Sequence, residues 1–421
     1  MPSPRPIRVL LLTQWFDPEP TFKGIVFARE LVRQGFEVEV ITGFPNYPGG
    51  KLYPGYRIKW LQREVIDGVQ VTRLPLYPNH DQSAIKRVFN YASFAVSALV
   101  YGLFMARRAD VMYAYHPPLT VGIAASLVRL LRRIPVVYDI QDMWPDTLRA
   151  TGMLSSPKAL NLVAAVCRWV YRRVDSIVVL SPGFKRLLVE RGVPAAKVDV
   201  IYNWADEATL ATPTGQLPEA FPGPERFRIL FAGNMGKAQA LGAVLDAAAL
   251  LQVGDSRVCF VMLGGGVELS ALKQQAAQRG LTNVVFLPAV PMAEVGTYLQ
   301  GADALLVHLR KDPLFEITIP SKTQAYMAAS KPLLMAVDGD AADLLRQSGG
   351  GIVAESENAE ALAEAAAALV NTPPQALIAM GQKAQQFYAQ HLALAVGVGQ
   401  FGEIFSRLTK RQRSEADVRN I

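Results

Sequence analysis

The chain has 421 residues, of which 51% are apolar and 19% charged, and its net charge is +7. That composition excludes a disordered or low-complexity protein and makes two domains, each with its own core, the expectation. Cys167 and Cys259 lie in apolar runs far apart, which suits buried thiols better than a disulfide, and no Cys/His spacing suits a metal. The charge is uneven: residues 1–205 carry a net +11 and the remainder −4. A basic half points to an anionic partner, phosphate or anionic lipid, or is simply a solvated basic face. Nucleic acid is not expected, because no aromatic-basic binding module is present. The start, MPSPRPIR, leads into an apolar run only a strand long, so no signal peptide is read there.

In chain order, strands are predicted at 7–13, 37–42, 69–74, 110–115, 135–140, 175–180 and 198–202, with helical patterns between most of them, such as 24–34. Pro213, Pro218, Pro222 and Pro224 mark 206–226 as a linker. Strands then resume at 227–232, 258–263, 283–287, 303–308, 332–337 and 351–354. Short apolar strands separated by helices imply parallel sheets covered on both faces. The same strand–loop–helix start occurs at Ile7 and again at Phe227. The fold class is therefore α/β, with two Rossmann-like domains whose parallel sheets face each other across a cleft. The boundaries are 1–205, linker 206–226, and 227–390, followed by a C-terminal segment 391–421.

Residues 88–106 are uncharged and flanked by Lys86-Arg87 and Arg107-Arg108. Three readings fit this segment: a domain helix between two strands, a helix face dipping into a membrane surface, or a membrane span. Asn90, Ser93, Ser97 and the cations at both ends argue for the first.

Several loops that follow strands carry groups able to do chemistry. In the first, Lys23 can meet a phosphate and Gly24 opens a helix with room for a ligand, or the pair makes a tight turn with a surface lysine. Asn46 and Tyr47 lie in a Pro/Gly/Tyr-rich loop suited to sugar faces or to packing. His116 ends a strand at the carboxyl edge, where it can exchange protons, bond a sugar hydroxyl, or serve the core. His80, His308 and His391 are less favourably placed. Asp139, Asp142, Trp144 and Asp146 form a polar cluster; Asp139 or Asp142 can accept a proton or orient a hydroxyl, or these acids cap the next helix. In the second half Gly233, Asn234 and Lys237 suit a phosphate, as does Ser321-Lys322 at a helix start, while Gly264-Gly265-Gly266 is not a nicotinamide fingerprint. Asp338-Gly339-Asp340 reads as a turn rather than a metal pair.

Taken together, WFDPEPTFKG, TGFPNYPGG, YHPPLTVG, QDMWPDTL, FAGNMGKAQAL and IPSKTQAYMAASKPLL resemble the bacterial retaining glycosyltransferases of family 4, with the GT-B architecture. Within that family the chain is most similar to the subgroup that adds sugars of the N-acetylfucosamine type in O-antigen, capsule and exopolysaccharide synthesis. The resemblance implies a UDP-sugar donor on the second domain and a polyprenyl-diphosphate-linked glycan acceptor on the first. It also implies a C-terminal helix returning to the first domain, and work at the inner face of the cell membrane against an anionic membrane surface. It assigns the base to Phe286–Pro288, the diphosphate to Lys237, Ser321 and Lys322, and the donor sugar to His116, without metal or cofactor. Gly24, Gly233, Asn234, Gly265 and Gln324 fall on the donor side, and Lys23, Asn46, Tyr47, Asp139 and Trp144 on the acceptor side, with His116, Asp142 and Glu316 as catalytic candidates. Asn234 and Gln239 stand where many relatives carry an Arg and a Lys. Glu316 has Gln324 at the usual spacing of a second glutamate, and Ala325 stands where that acid is common. A UDP-amino-sugar epimerase of the same fold and a silent membrane-associated scaffold are the rival readings.

Overall fold

In the computed structural model the described residues are 5–79, 84–211, 215–255 and 257–419. His80, part of the linker at 212–214 and the last two residues of the tail lie outside them. The chain forms two compact units, Met1–Tyr202 with Gly397–Ile421, and Asn203–Val396.

The first unit holds an eight-stranded sheet: β1 Arg8–Leu12, β2 Glu37–Gly43, β3 Gln62–Ile66, β4 Val69–Leu74, β5 Val111–His116, β6 Val136–Ile140, β7 Ser176–Val179 and β8 Val198–Val200. Its order is β3-β4-β2-β1-β5-β6-β7-β8. β5 and β6 are buried along their whole length, as expected for strands covered on both faces. β3 corrects the expectation of a purely parallel sheet, because it pairs antiparallel with β4 at the edge. Its residues alternate between half-buried and exposed, so they form no apolar run. The overlooked signal is Asp67-Gly68, with φ values of 48° and 84°, the two positive angles of a tight hairpin turn.

Three helices of this unit matter below: α1 Ile25–Arg33, α2 Ala84–Phe104 and α3 Leu119–Arg132. α2 covers the predicted apolar segment as far as Phe104. It turns Asn90, Phe94, Ala98 and Tyr101 into the core. Among the described residues no helix is long and apolar enough to cross a membrane, so the spanning alternative falls. The C-terminal segment completes the first unit's core. Phe401 meets Phe27 and Tyr113 at 5.3 and 5.5 Å between ring centres, and Phe405 meets Phe36 at 5.9 Å.

The second unit is a six-stranded parallel sheet: β9 Phe227–Asn234, β10 Val258–Gly265, β11 Val284–Leu287, β12 Ala304–His308, β13 Leu333–Ala336 and β14 Gly351–Ala354. Its order is β11-β10-β9-β12-β13-β14. Phe231, Phe260, Leu306 and Leu334 anchor one core cluster of this sheet. β9 runs two residues past its predicted end, because Gly233 and Asn234 continue the ladder against Gly264 and Gly265. In both sheets the strand order reverses once near the middle, between β1 and β5 and between β9 and β12. Such reversals open a crevice at the carboxyl ends of the strands, which is where ligands bind in doubly wound folds.

Candidate active site

At the β9/β12 reversal, Gly233 and Asn234 are exposed. Gly233 has φ of +136°, and a Cβ there would stand 2.8 Å from the Lys322 Cε. The glycine therefore makes room for a lysine stem. Lys322 comes from the helix Ser321–Ala328. Its Nζ lies 4.8 Å from the centre of the Phe231 ring, and burial pushes its ammonium below the ordinary value. Among the described residues no carboxylate pairs with it. A partly desolvated cation without an acid is suited to an incoming anion.

Neighbouring groups hold this corner in place. Tyr326 Oη accepts the Ala232 N–H at 2.9 Å, tying the helix to β9. Gln324 is buried, and its amide, oriented by the hydrogen-bond network, donates to the carbonyls of Pro320 at 2.9 Å and Ser321 at 3.2 Å. It braces the turn before the helix from inside. Lys237 is exposed, at the start of a short turn Lys237–Gln239. That turn is fixed from β12: His308 Nδ1 meets the Gln239 carbonyl at 2.7 Å, and the Arg310 N–H donates to Ala238 at 2.9 Å. Burial pushes the His308 imidazole below its ordinary value, against the opposing effect of the Gln239 bond. Neutral Nδ1–H is then the donor. His308 carries more of the site than its sequence placement suggested; the available signal was its position at the end of a strand beside the reversal.

Glu316 is exposed at the end of the short helix Pro313–Glu316, and its backbone carbonyl fills the place of a Cβ on Gly339. Gly339 has φ of +68° and caps the helix that Asp340 opens, so Asp338–Asp340 is a turn. Gly265 ends β10, and Pro288 is exposed just after β11.

In the first unit, the β1/β5 reversal gathers the loops after β1, β2, β5 and β6. Lys23 is 1% exposed rather than at the surface, with Nζ 5.3 Å from the centre of the Phe401 ring. Burial pushes its ammonium down to about 8, while Asp139 pulls the other way. Asp139 is fully buried, raised by burial, and accepts from Tyr113 Oη at 2.5 Å and Gln141 Nε2 at 2.6 Å. Gly24 is buried as well, and the Asp17 carboxylate occupies the space beside it and accepts the Ile25 N–H at 2.6 Å. The opening of α1 is thus filled by the chain's own acid. Lys23, Gly24 and Asp139 belong to the interior beneath the loops.

Nearer the solvent, Trp15 stacks on Tyr47 at 4.6 Å, and Tyr91 of α2 meets Trp15 edge-on at 6.4 Å. Asn46 is buried and accepts from Asn90 Nδ2 at 3.3 Å; Asn90 in turn accepts from Gln14 Nε2 at 2.6 Å. Glu19 holds the two loops together. Its carboxylate takes the N–H groups of Asn46 and Tyr47, both at 2.7 Å, and of Phe16 at 3.2 Å. Burial nevertheless pushes it up to about 7 from 4.5. The folded state therefore keeps this proton over a pH range in which the unfolded chain has lost it. Stability from this group is greatest below pH 4.5 and falls as the pH climbs to 7, by about 3 kcal/mol in all. Thermal melts from pH 4.5 to 7.5 should show this decline in the native protein and a flatter curve in Glu19→Gln; parallel curves would refute it.

His116 is buried, with Trp144 at 5.1 Å and Tyr138 at 5.7 Å, both edge-on. Burial pushes its imidazole down to about 3, so it is neutral at working pH. Among the described residues its Nδ1 has no partner. Asp142 is half-buried and raised by burial. The helix-opening role falls to Asp146, which pairs with Arg191 at 2.6 Å.

Two family models together match most of the chain: a glycosyl transferase 4-like domain over residues 26–204 and glycosyl transferases group 1 over residues 218–387. The chain belongs to the family 4 glycosyltransferases. This glycosyltransferase is 29% identical over 314 residues to WcaI of Escherichia coli (strain K12), a protein named for glycosyl transfer in colanic acid biosynthesis. That match covers 71% of this chain and 74% of WcaI. Among solved structures it is similar to sucrose-phosphate synthase from Thermosynechococcus elongatus, with a TM-score of 0.72 at 15% identity, covering 96% of this chain and all of that one. It is also similar to Anabaena HepE in complex with UDP-glucose, with a TM-score of 0.66 at 15% identity, covering 95% of this chain and all of HepE. Its fold is thus that of the GT-B enzymes, two parallel-sheet α/β domains.

Proposed function

We propose that this glycosyltransferase moves a sugar, an N-acetylated or deoxy amino sugar, from UDP to a polyprenyl-diphosphate-linked saccharide, retaining the anomeric configuration, during surface polysaccharide synthesis. It works on the cytoplasmic side, at the inner face of the cell membrane. The second unit takes the donor and the first the acceptor. The observation that carries this reading is Lys322, a partly buried cation that no acid among the described residues pairs with, beside the open backbone of Gly233. Lys322 and Lys237 neutralise the charge that grows on the leaving diphosphate, a role that needs no metal. Neutral His116 hydrogen-bonds a sugar hydroxyl rather than shuttling a proton. HepE, solved with UDP and with UDP-glucose, and WcaI, named for colanic acid biosynthesis, support the donor class and the polymer setting.

The test is an assay of UDP release and glycolipid formation with a panel of UDP-sugars and polyprenyl-diphosphate glycans. Failure to release UDP or form glycolipid with any pair would overturn the reading. A new UDP-sugar formed without acceptor would favour an epimerase instead. Within this frame His308→Ala should weaken UDP binding about three- to tenfold, the worth of one hydrogen bond, while turnover at saturating donor stays near the native value. Calorimetric titration with UDP checks this, and unchanged affinity would remove His308 from the site.

A further inference from the structure

The outward side of α2 is apolar where a soluble helix is ordinarily polar. At 100° per residue, Val88, Phe89, Val96, Leu99, Val100 and Leu103 fall within one sector of about 120°. Phe89 is 62% exposed and Val96 61%, and Phe104, at the edge of the stripe, is 80% exposed. The opposite side is spent on the domain, through Asn90, Phe94, Ala98 and Tyr101. α3 lies alongside and adds exposed Leu130 and Leu131. Its Arg132 bonds the carbonyls of Gly102 at 2.6 Å and Ala106 at 3.0 Å, fixing the end of α2. Lys86-Arg87 and Arg107-Arg108 stand at the two ends, and no Asp or Glu occurs from 84 to 109.

We propose that this face docks on an anionic bilayer, with α2 lying in the interfacial layer along the surface. The charge pattern selects this occupant. Pairing with a second copy, parallel or antiparallel, would bring cations at the helix ends against cations, whereas anionic headgroups meet both ends favourably. A helix with a polar inner side, yet apolar outside and basic at its ends, is suited to the interface rather than to spanning. The inner side of the same helix sends Asn90 to Asn46 and Tyr91 to Trp15. Docking therefore sets the acceptor loops at the membrane surface, a consequence that rests on the lipid-linked acceptor proposed above; the docking itself does not.

The experiment is flotation of the full-length protein with phosphatidylcholine vesicles and with the same vesicles containing phosphatidylglycerol, free of polyprenyl lipid and nucleotide sugar. The native protein should float with the anionic vesicles only. Val96→Glu with Phe104→Glu replaces exposed side chains, so melting should be unchanged while binding falls more than about tenfold. Arg107→Glu with Arg108→Glu should weaken binding about 30-fold or more and flatten its salt dependence. Equal flotation by the Val96/Phe104 variant, no flotation by the native protein, or a native dimer split by that variant would overturn the proposal. Vesicle binding by a protein that transfers no sugar would leave docking standing and remove the transferase reading. Transfer to a short water-soluble acceptor, retained in the Val96/Phe104 variant, would separate docking from chemistry.

Discussion

Lys322→Met is expected to raise the UDP dissociation constant about 10- to 100-fold, and to lower turnover by about 10²- to 10³-fold, without loss of folded stability. The stem that passes Gly233 and lies on Phe231 is replaced by one of similar length, so packing is largely kept. What disappears is a cation that burial already disfavours in the free protein. The melting temperature without UDP should therefore hold or rise slightly, while the upward shift produced by UDP should shrink. A lysine serving only the core would show the reverse, with lower stability and intact UDP binding. Gly233→Ala is the companion test. Its added Cβ would meet the lysine stem at 2.8 Å, at a φ that side chains rarely adopt. It should cost about 1–3 kcal/mol of stability and weaken UDP binding together.

His116→Gln should lower turnover about 100-fold, the scale seen when a preorganised hydrogen-bond donor is removed from a reacting centre. His116→Ala is the less clean variant. A cavity beside Trp144 and Tyr138 should cost about 2–4 kcal/mol in addition. Because burial holds the imidazole at about 3, the residue is neutral throughout the working range. The native rate profile between pH 5 and 9 should then contain no inflection that vanishes in His116→Gln. If such an inflection is found, His116 is a proton carrier and the neutral role is refuted. An inflection near pH 7 that survives the substitution but is lost in Glu19→Gln is compatible with the structure, since Glu19 titrates there and ties the acceptor loops together.

The strands were legible in the sequence because central parallel strands are buried on both faces and must be written as apolar runs. β3 was not, since an edge strand needs no such run and spoke only through its Asp-Gly turn. The site was legible unevenly for a related reason. Glycines and lysines in loops after strands mark a ligand crevice, but the letters do not say which lysine turns inward. Lys322 lies on an aromatic face beside an open backbone, whereas Lys23 is sealed with Asp139 beneath Phe401. Gln324 looked like a stand-in for a ribose-binding acid and is instead a brace for its own turn. His308 was hard to value because its work is done on the backbone carbonyl of Gln239, a partner that no residue pattern records.

Residues 397–419 also have a consequence for how the protein is made. Phe401 and Phe405 are fully buried in the first unit, yet they are synthesised after the whole of the second. At roughly 5–20 residues per second, the residues between take on the order of 10–40 s to emerge. Throughout that interval the nascent first unit lacks the rings that cover Phe27, Tyr113 and the Lys23–Asp139 pair. The second unit, continuous in sequence, can finish first. A premature stop near the end of the message would therefore injure the part of the molecule translated earliest.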